Sequence, residues 1–238
     1  MVSNPRKATS MTTRRVNLNT ESVDNYLKAI FALEGQEQER VTSSALAERL
    51  GVAPASVTNM LQKLAASPTS FVEYEARRGV RLSAAGRRRA LEILRHHRLL
   101  ETFLYEVLDY KIDEVHDEAE RLEHFISERF EERIDAKLGR PKFDPHGHCI
   151  PALDGKMLKQ VSPALADIEN EGHFVVDSVS DRDSTVLKRL KTYGITPGVR
   201  LHVTRSTHNE LVLRIGGGSK PLHLPRSVAE AVRIRSAN

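Results

Sequence analysis

Between Val41 and Leu82 the sequence admits few folds, because its apolar spacing changes period at fixed punctuation points. A helical pattern over about Ser43 to Leu50 turns Leu46 and Leu50 inward, and Gly51 then supplies a tight turn. Pro54 stands where a helix start tolerates a missing N–H, and Val57, Leu61 and Leu64 line the core side of the next helix. Ser56, Asn59 and Lys63, spaced i, i+3, i+7, share the opposite side. Phe71–Glu75 and Val80–Leu82 read as two short strands around the turn Arg77-Arg78-Gly79. Helix, glycine turn, helix and basic hairpin add up to a winged helix-turn-helix, whose second helix suits a major groove. Ser56, Thr58, Asn59 and Lys63 are the expected DNA-facing set on that helix. Arg77 and Arg78 are placed to meet phosphates, which gives affinity and orientation rather than sequence choice.

Charge supports the same division of labour. Residues 1–100 carry 16 Lys/Arg against 9 Asp/Glu, whereas segment 101–140 carries 13 acids against 6 bases. A basic first part suits a polyanion, and an acidic middle suits a cation. No apolar run approaches the roughly 20 residues that cross a bilayer, and Met1–Thr20 lacks the apolar centre of a secretory signal. The lone Cys149 excludes an intramolecular disulfide and fits a reducing compartment, so the expected location is cytoplasmic, with no membrane partner.

The rest of the chain divides by pattern. Residues 1–19, with Arg6, Lys7, Arg14 and Arg15 and no acid, read as a disordered basic tail. Thr20 is placed to cap a helix lined by Val23, Tyr26, Leu27, Ile30 and Leu33, which Gly35 stops. Ser83 is placed to cap a long helix to about Leu108, studded with Arg87, Arg88, Arg89, Arg95 and Arg98 and lined by Leu91, Leu94, Leu100, Leu104 and Leu108. A further helical stretch, Ile112 to Leu138, is expected to break once or twice. Such apolar stripes often pack against a second copy, and a two-fold dimer matches a two-fold operator. Pro141–Pro151 reads as a Pro/Gly-rich linker. Short β-rich runs follow at Phe174–Val179, Val199–Thr204, Glu210–Ile215 and Lys220–Leu224, interrupted by a helix over Ser184 to Tyr193, and predict a small barrel. The expected fold class is mainly α with a small β domain. Its boundaries are a tail at 1–19, a winged domain at 20–90, a helical domain at 91–153, a linker at 154–171 and a β domain at 172–238.

One helical face in the acidic segment carries ligand chemistry. Glu120, Glu123 and His124 stand at i, i+3 and i+4, with His116 one turn earlier, and His97 and Glu101 form a second i, i+4 pair on the long helix. Carboxylates and imidazoles without a thiolate favour a hard or borderline divalent ion such as Mn2+ or Fe2+. No His-Glu-x-x-His and no paired Glu-x-x-His motifs are present, which argues against a metalloenzyme.

From about residue 20 to 153 the sequence resembles the DtxR/MntR family of metal-dependent repressors. The matching stretches are Asp24–Ile30 (DNYLKAI), Arg95–Leu104 (RHHRLLETFL), Val115–His124 (VHDEAERLEH) and Pro145–Pro151 (PHGHCIP). Residues 172–235 resemble the SH3-like domain that follows in many members. The resemblance implies a homodimer that binds double-stranded DNA at palindromic operators once loaded with metal, commonly to repress metal uptake. It assigns Glu120, Glu123 and His124 to the principal regulatory site, with a carboxylate at 120 typical of manganese rather than iron members. The first-helix ligand falls at Asn25, whose carbonyl brings no charge, and Lys28 replaces an acid that some manganese members use for a second ion. His97, Glu101 and His116 match an ancillary site, joined by Asp144 and His146 and by an acid of the SH3-like domain, Asp181 or otherwise Asp177. The expected cofactor is Mn2+, with Fe2+ the alternative; a winged-helix regulator with an organic effector is the rival reading.

Overall fold

The computed structural model describes residues 20–35 and 38–237; the expected basic tail at 1–19 lies outside them, as does the side chain of Thr20. The winged domain forms from α1 (Thr20–Glu34), α2 (Ser43–Leu50), α3 (Pro54–Ala66), β1 (Val72–Glu75) and β2 (Gly79–Leu82). Local chemistry sets its punctuation. The Thr42 hydroxyl accepts from the Ala45 N–H at the start of α2, and Gly51, at φ +64°, ends the helix in the left-handed region. Leu27, Ile30, Leu46, Val57, Leu61 and Leu64 are completely buried together, whereas Leu33 is more than a third exposed and falls outside the expected stripe. β1 and β2 pair antiparallel in the register Glu75 to Gly79, which projects the turn at Arg77 and Arg78.

The long α4 (Ala84–Val107) links two cores. Ser83 caps it through Gly86, its Ala90 lies in the winged core, and Leu99, Leu100 and Leu104 pack with Val115, Ala119 and Ile134 in the helical core. The expected helical stretch after it divides once, into α5 (Val115–Leu122) and α6 (Glu128–Lys137). Two readings of α4 change. Three of its arginines are taken up by acids of this chain: Arg87 pairs with Glu34, Arg89 with Asp24, and buried Arg95 with Glu131. Its leucines at 100 and 104 face this chain's own core, and the most exposed apolar residues here are Tyr105, Leu108, Phe125 and Phe130.

The β domain is a five-stranded antiparallel sheet in the order β6-β5-β4-β3-β7, formed by β3 (Gly172–Val179), β4 (Arg200–Ser206), β5 (Glu210–Ile215), β6 (Leu222–Pro225) and β7 (Val232–Ser236). α7 (Ser184–Tyr193) and the short α8 (Arg226–Ala229) flank it; β7 and α8 were not anticipated from the sequence. A 3-10 turn, Leu165–Asp167, buries Leu165 in this core, so the β domain begins inside the stretch expected as linker. Among the described residues no helix is long and apolar enough to cross a membrane.

Residues 141–151 are a buried wall rather than a solvated linker. Asp144, His146, Gly147, Cys149 and Ile150 are all buried. Arg95 holds the Pro151 carbonyl at 2.9 Å from the α4 side, and the Val179 N–H donates to the His146 carbonyl at 2.9 Å from β3. Gly147 makes this approach possible: its φ is +86°, and a Cβ there would stand 2.2 Å from the Asp177 carbonyl oxygen. Gly147→Ala is therefore expected to lower stability by about 1–3 kcal/mol and to loosen the β domain from α4. Chemical denaturation checks the first effect, and amide exchange at Val179 checks the second.

Candidate metal centre

Two clusters of ligand-type side chains meet where α1, α4, α5, the 141–151 wall and the β domain converge. The first is built around Glu123, which stands just past the end of α5 and is completely buried. Its two carboxylate oxygens accept from Lys28 Nζ at 2.7 and 2.8 Å, and Oε2 also meets His97 Nδ1 at 2.6 Å. Glu120 Oε1 accepts from the same ammonium at 2.8 Å. The expected triad does not share a helical face evenly, because α5 ends at Leu122 and the motif straddles its terminus. His124 is turned toward α1: its Nε2 is 3.3 Å from Glu123 Oε1 and its Nδ1 is 3.4 Å from Asp24 Oδ2. Asp24 is itself held by Arg89 through two bonds of 2.7 and 2.8 Å.

Asn25 is half-buried, and no hydrogen bond joins it to Glu120, Glu123 or His124 among the described residues. The α1 side chain that reaches the two glutamates is Lys28, one turn further on. Its i+3 spacing from Asn25 on the same helix was the available signal.

The second cluster is built around Glu101, also completely buried. His97 Nε2 lies 3.0 Å from Glu101 Oε1, His116 Nδ1 lies 3.3 Å from it, and His146 Nδ1 lies 3.6 Å from it. Asp181 Oδ2 is 3.7 Å from both His116 Nδ1 and His148 Nδ1. Asp177, the alternative acid, is instead engaged by the Ser162 hydroxyl at 2.5 Å. Asp144 Oδ1 accepts the backbone N–H groups of His146 and His148, each at 2.9 Å, in a tight local turn. His148 was not in the expected ligand set, yet one ligand atom from each of Asp144, His146 and His148 lies within 4.8 Å of the others. The same limit holds for His97, Glu101, His116 and Asp181, and for His97, Glu120 and Glu123. His97 therefore belongs to both clusters.

Burial and charge set the protonation of these groups. Burial pushes the His97 imidazole down, but the Glu101 charge and the bonds to Glu101 and Glu123 outweigh it, and its pKa is raised to about 10. His146 is likewise raised to about 9, against burial, by Glu101, Asp144 and Asp181. His148 is also raised against its burial, by Asp144 and Asp181. The Glu101 carboxyl, despite complete burial, is held well below its ordinary value by the three imidazoles around it. Glu120 is lowered too, against burial, chiefly by Lys28.

The donor set fits a divalent cation. Among the described residues, Glu101 Oε2, His124 Nδ1, Asp144 Oδ2 and His146 Nδ1 are buried polar atoms without a hydrogen-bond partner. Each such atom costs about 1–3 kcal/mol unless something meets it. His146 Nε2 is 3.0 Å from the Ile112 carbonyl, so that nitrogen donates and Nδ1 is the one aimed at Glu101. Oxygen and nitrogen donors without sulfur are the set that hard and borderline ions take.

The residues expected to face DNA are mostly exposed. Ser56, Asn59 and Lys63 are exposed on α3, while Thr58 is half-buried and its hydroxyl donates to the Pro54 carbonyl at 3.2 Å. Arg77 is exposed at the wing tip with φ +68°, and Arg78, also exposed, pairs with Glu75 at 2.9 Å.

Known protein families match all three domains. Residues 19–80 match the iron dependent repressor N-terminal DNA binding domain, residues 83–152 its metal binding and dimerisation domain, and residues 164–236 the FeoA domain. The diphtheria toxin repressor of Corynebacterium jeikeium (strain K411) is 32% identical over 241 residues, covering 92% of this chain and 98% of that protein. The iron-dependent repressor IdeR of Mycobacterium leprae (strain TN) is 28% identical over 229 residues, covering 90% of this chain and 96% of that one. A solved manganese-dependent transcriptional repressor in complex with manganese superposes with a TM-score of 0.83 at 36% identity, covering 90% of this chain and all of that one. With a winged DNA-binding domain, a metal-binding and dimerisation domain and a FeoA domain in the same order, the chain belongs to the diphtheria toxin repressor family of metal-dependent DNA-binding repressors.

Proposed function

We propose that this chain is a manganese-responsive repressor of metal-uptake genes that binds palindromic operators as a homodimer, with Fe2+ as the alternative ion. The observation that carries the manganese reading is the donor set itself: carboxylates and imidazoles, with Glu120 rather than a thiolate in the Glu120–Glu123–His124 motif. The likeness to a repressor solved with manganese supports it, and the IdeR relatives keep iron in view. Glu120, Glu123 and His124 would hold an ion beside α1, with Asn25 able to contribute a carbonyl. Glu101, His97, His116, Asp144, His146 and Asp181 would hold one beside the β domain. A bound dication supplies positive charge that both acidic clusters attract. The protein's part is to hang those donors on different parts of the fold: α1 in the winged core, α4 and α5 in the helical core, and Asp181 just past β3 in the β domain. Uniting the donors fixes α1 against α4 and so the direction in which α3 points. Exposed Tyr105, Leu108, Phe125 and Phe130 suit the face for a second copy.

Operator binding measured by fluorescence anisotropy at fixed salt, with chelator and then with Mn2+ or anaerobic Fe2+, tests the reading. Affinity is expected to rise about 100-fold with Mn2+ and less with Fe2+. Binding that ignores the chelator would remove metal from the account. In the same assay Arg77→Ala should weaken specific and non-specific binding alike and reduce the log–log salt slope by about 0.9, the signature of one lost phosphate contact.

A further inference from the structure

The cation bound by Glu120 and Glu123 is part of the chain. Lys28 Nζ lies 2.7–2.8 Å from three carboxylate oxygens of these two residues, and its side chain is only 16% exposed. That is a pocket formed by two acids with a monovalent charge at its centre. His97 Nδ1 also meets Glu123 Oε2, at 2.6 Å. Both carboxylates of the pair are thus already met by a cation carried on α1. A lysine must swing its whole ammonium away to make room for a dication.

We propose that Lys28 is a tethered cation that takes the place of a second divalent ion beside the one that Glu120, Glu123 and His124 would hold, and clamps α1 to the end of α5 without metal. This rests on the metal-responsive reading above but concerns a residue that reading does not use. The clamp sets a floor of operator affinity in the metal-free chain and reduces the number of ions the chain takes up.

The test is ion stoichiometry, by equilibrium dialysis of the full-length protein against Mn2+ with elemental analysis, beside operator anisotropy with and without chelator. Lys28→Gln, neutral and close in length, is expected to bind one Mn2+ per chain more than the wild type. With chelator it should bind operator on the order of tenfold more weakly, and with Mn2+ it should recover. Lys28→Arg keeps the charge and should retain the wild-type count. A merely structural lysine would give equal or lower counts in both variants, and that result overturns the proposal. A measurement on the wild type covers the case in which Lys28→Gln does not fold. The 15N resonance of the Lys28 ammonium should stay protected from exchange when the protein is saturated with diamagnetic Zn2+; its release on saturation would overturn the proposal equally. Failure of the wider reading looks different, since operator binding would then ignore Mn2+ in every variant while the Lys28 resonance stayed protected.

Discussion

Glu123→Gln is expected to make operator binding blind to Mn2+ and to destabilise the metal-free chain at the same time. Few side chains in the molecule are so committed: Glu123 is completely buried, accepts from Lys28 through both oxygens, meets His97 Nδ1 at 2.6 Å and stands 3.3 Å from His124. Glutamine fills nearly the same volume, so packing survives while the charge is lost. Lys28 would keep only Glu120, whose side chain is 40% exposed, and His97 would keep only Glu101. Breaking a buried pair by removing one partner costs about 3–5 kcal/mol, and Lys28's partial exposure places this case near the lower end. The prediction has two readouts. Urea denaturation should show the lost stability, and anisotropy should give the same operator Kd with chelator and with Mn2+. A variant that kept the full Mn2+ effect would show that α1 and α5 are not joined through this carboxylate.

The elements that repeat a simple period were legible in the sequence. The helix spacing of Val57, Leu61 and Leu64, the glycine stop at Gly51 and the strand pair around Arg77 and Arg78 are local patterns, and each stands in the structure within a residue or two of its expected place. The ligand-type residues of α4 and α5 were legible for the same reason, since i, i+4 neighbours on one helix must share a side. What periodicity hid is tertiary. It could not show that the helix would end at Leu122, inside the Glu120–His124 motif, or that Lys28 and not Asn25 would reach across to the glutamates. It read the Pro- and Gly-rich run at 141–151 as a linker, because turn chemistry alone does not reveal what lies on either side. Arg95 and Arg98 from α4 and Val179 from β3 enclose that run, and so His148 joins Asp144 and His146 beside Glu101. The arginines of α4 mislead in the same way: a basic run suggests a polyanion, whereas Asp24, Glu34 and Glu131 are the acids that take them up.

Metal uptake should release protons, and Glu101→Gln should abolish most of that release together with the uptake at its own cluster. In the metal-free chain His97, raised to about 10, and His146, raised to about 9, are both charged near neutrality. Raised imidazoles contribute stability that is fully present below their ordinary pKa of about 6.5 and is lost as pH climbs through 9 and 10. Glu101, which is depressed, contributes stability present above the ordinary carboxylate range and lost as pH falls through its lowered value. Proton and ion compete for the same lone pairs, so each imidazole that must deprotonate makes the apparent Mn2+ affinity rise about tenfold per pH unit below its pKa. Between pH 6.5 and 8.5 the wild type should therefore bind Mn2+ progressively more tightly, with one to two protons released per ion. Calorimetry in buffers of different ionisation enthalpy reads that number directly. Glutamine at 101 removes the charge that holds His97 and His146 protonated, so both imidazoles fall toward their ordinary value and the pH slope flattens. The variant also loses the carboxylate that His97, His116 and His146 share, and its Mn2+ affinity at this cluster should drop by more than about 100-fold, near the 3 kcal/mol that separates a paired buried charge from an unpaired one. Unchanged proton release in the variant would place the titrating groups elsewhere and detach the Glu101 cluster from metal binding.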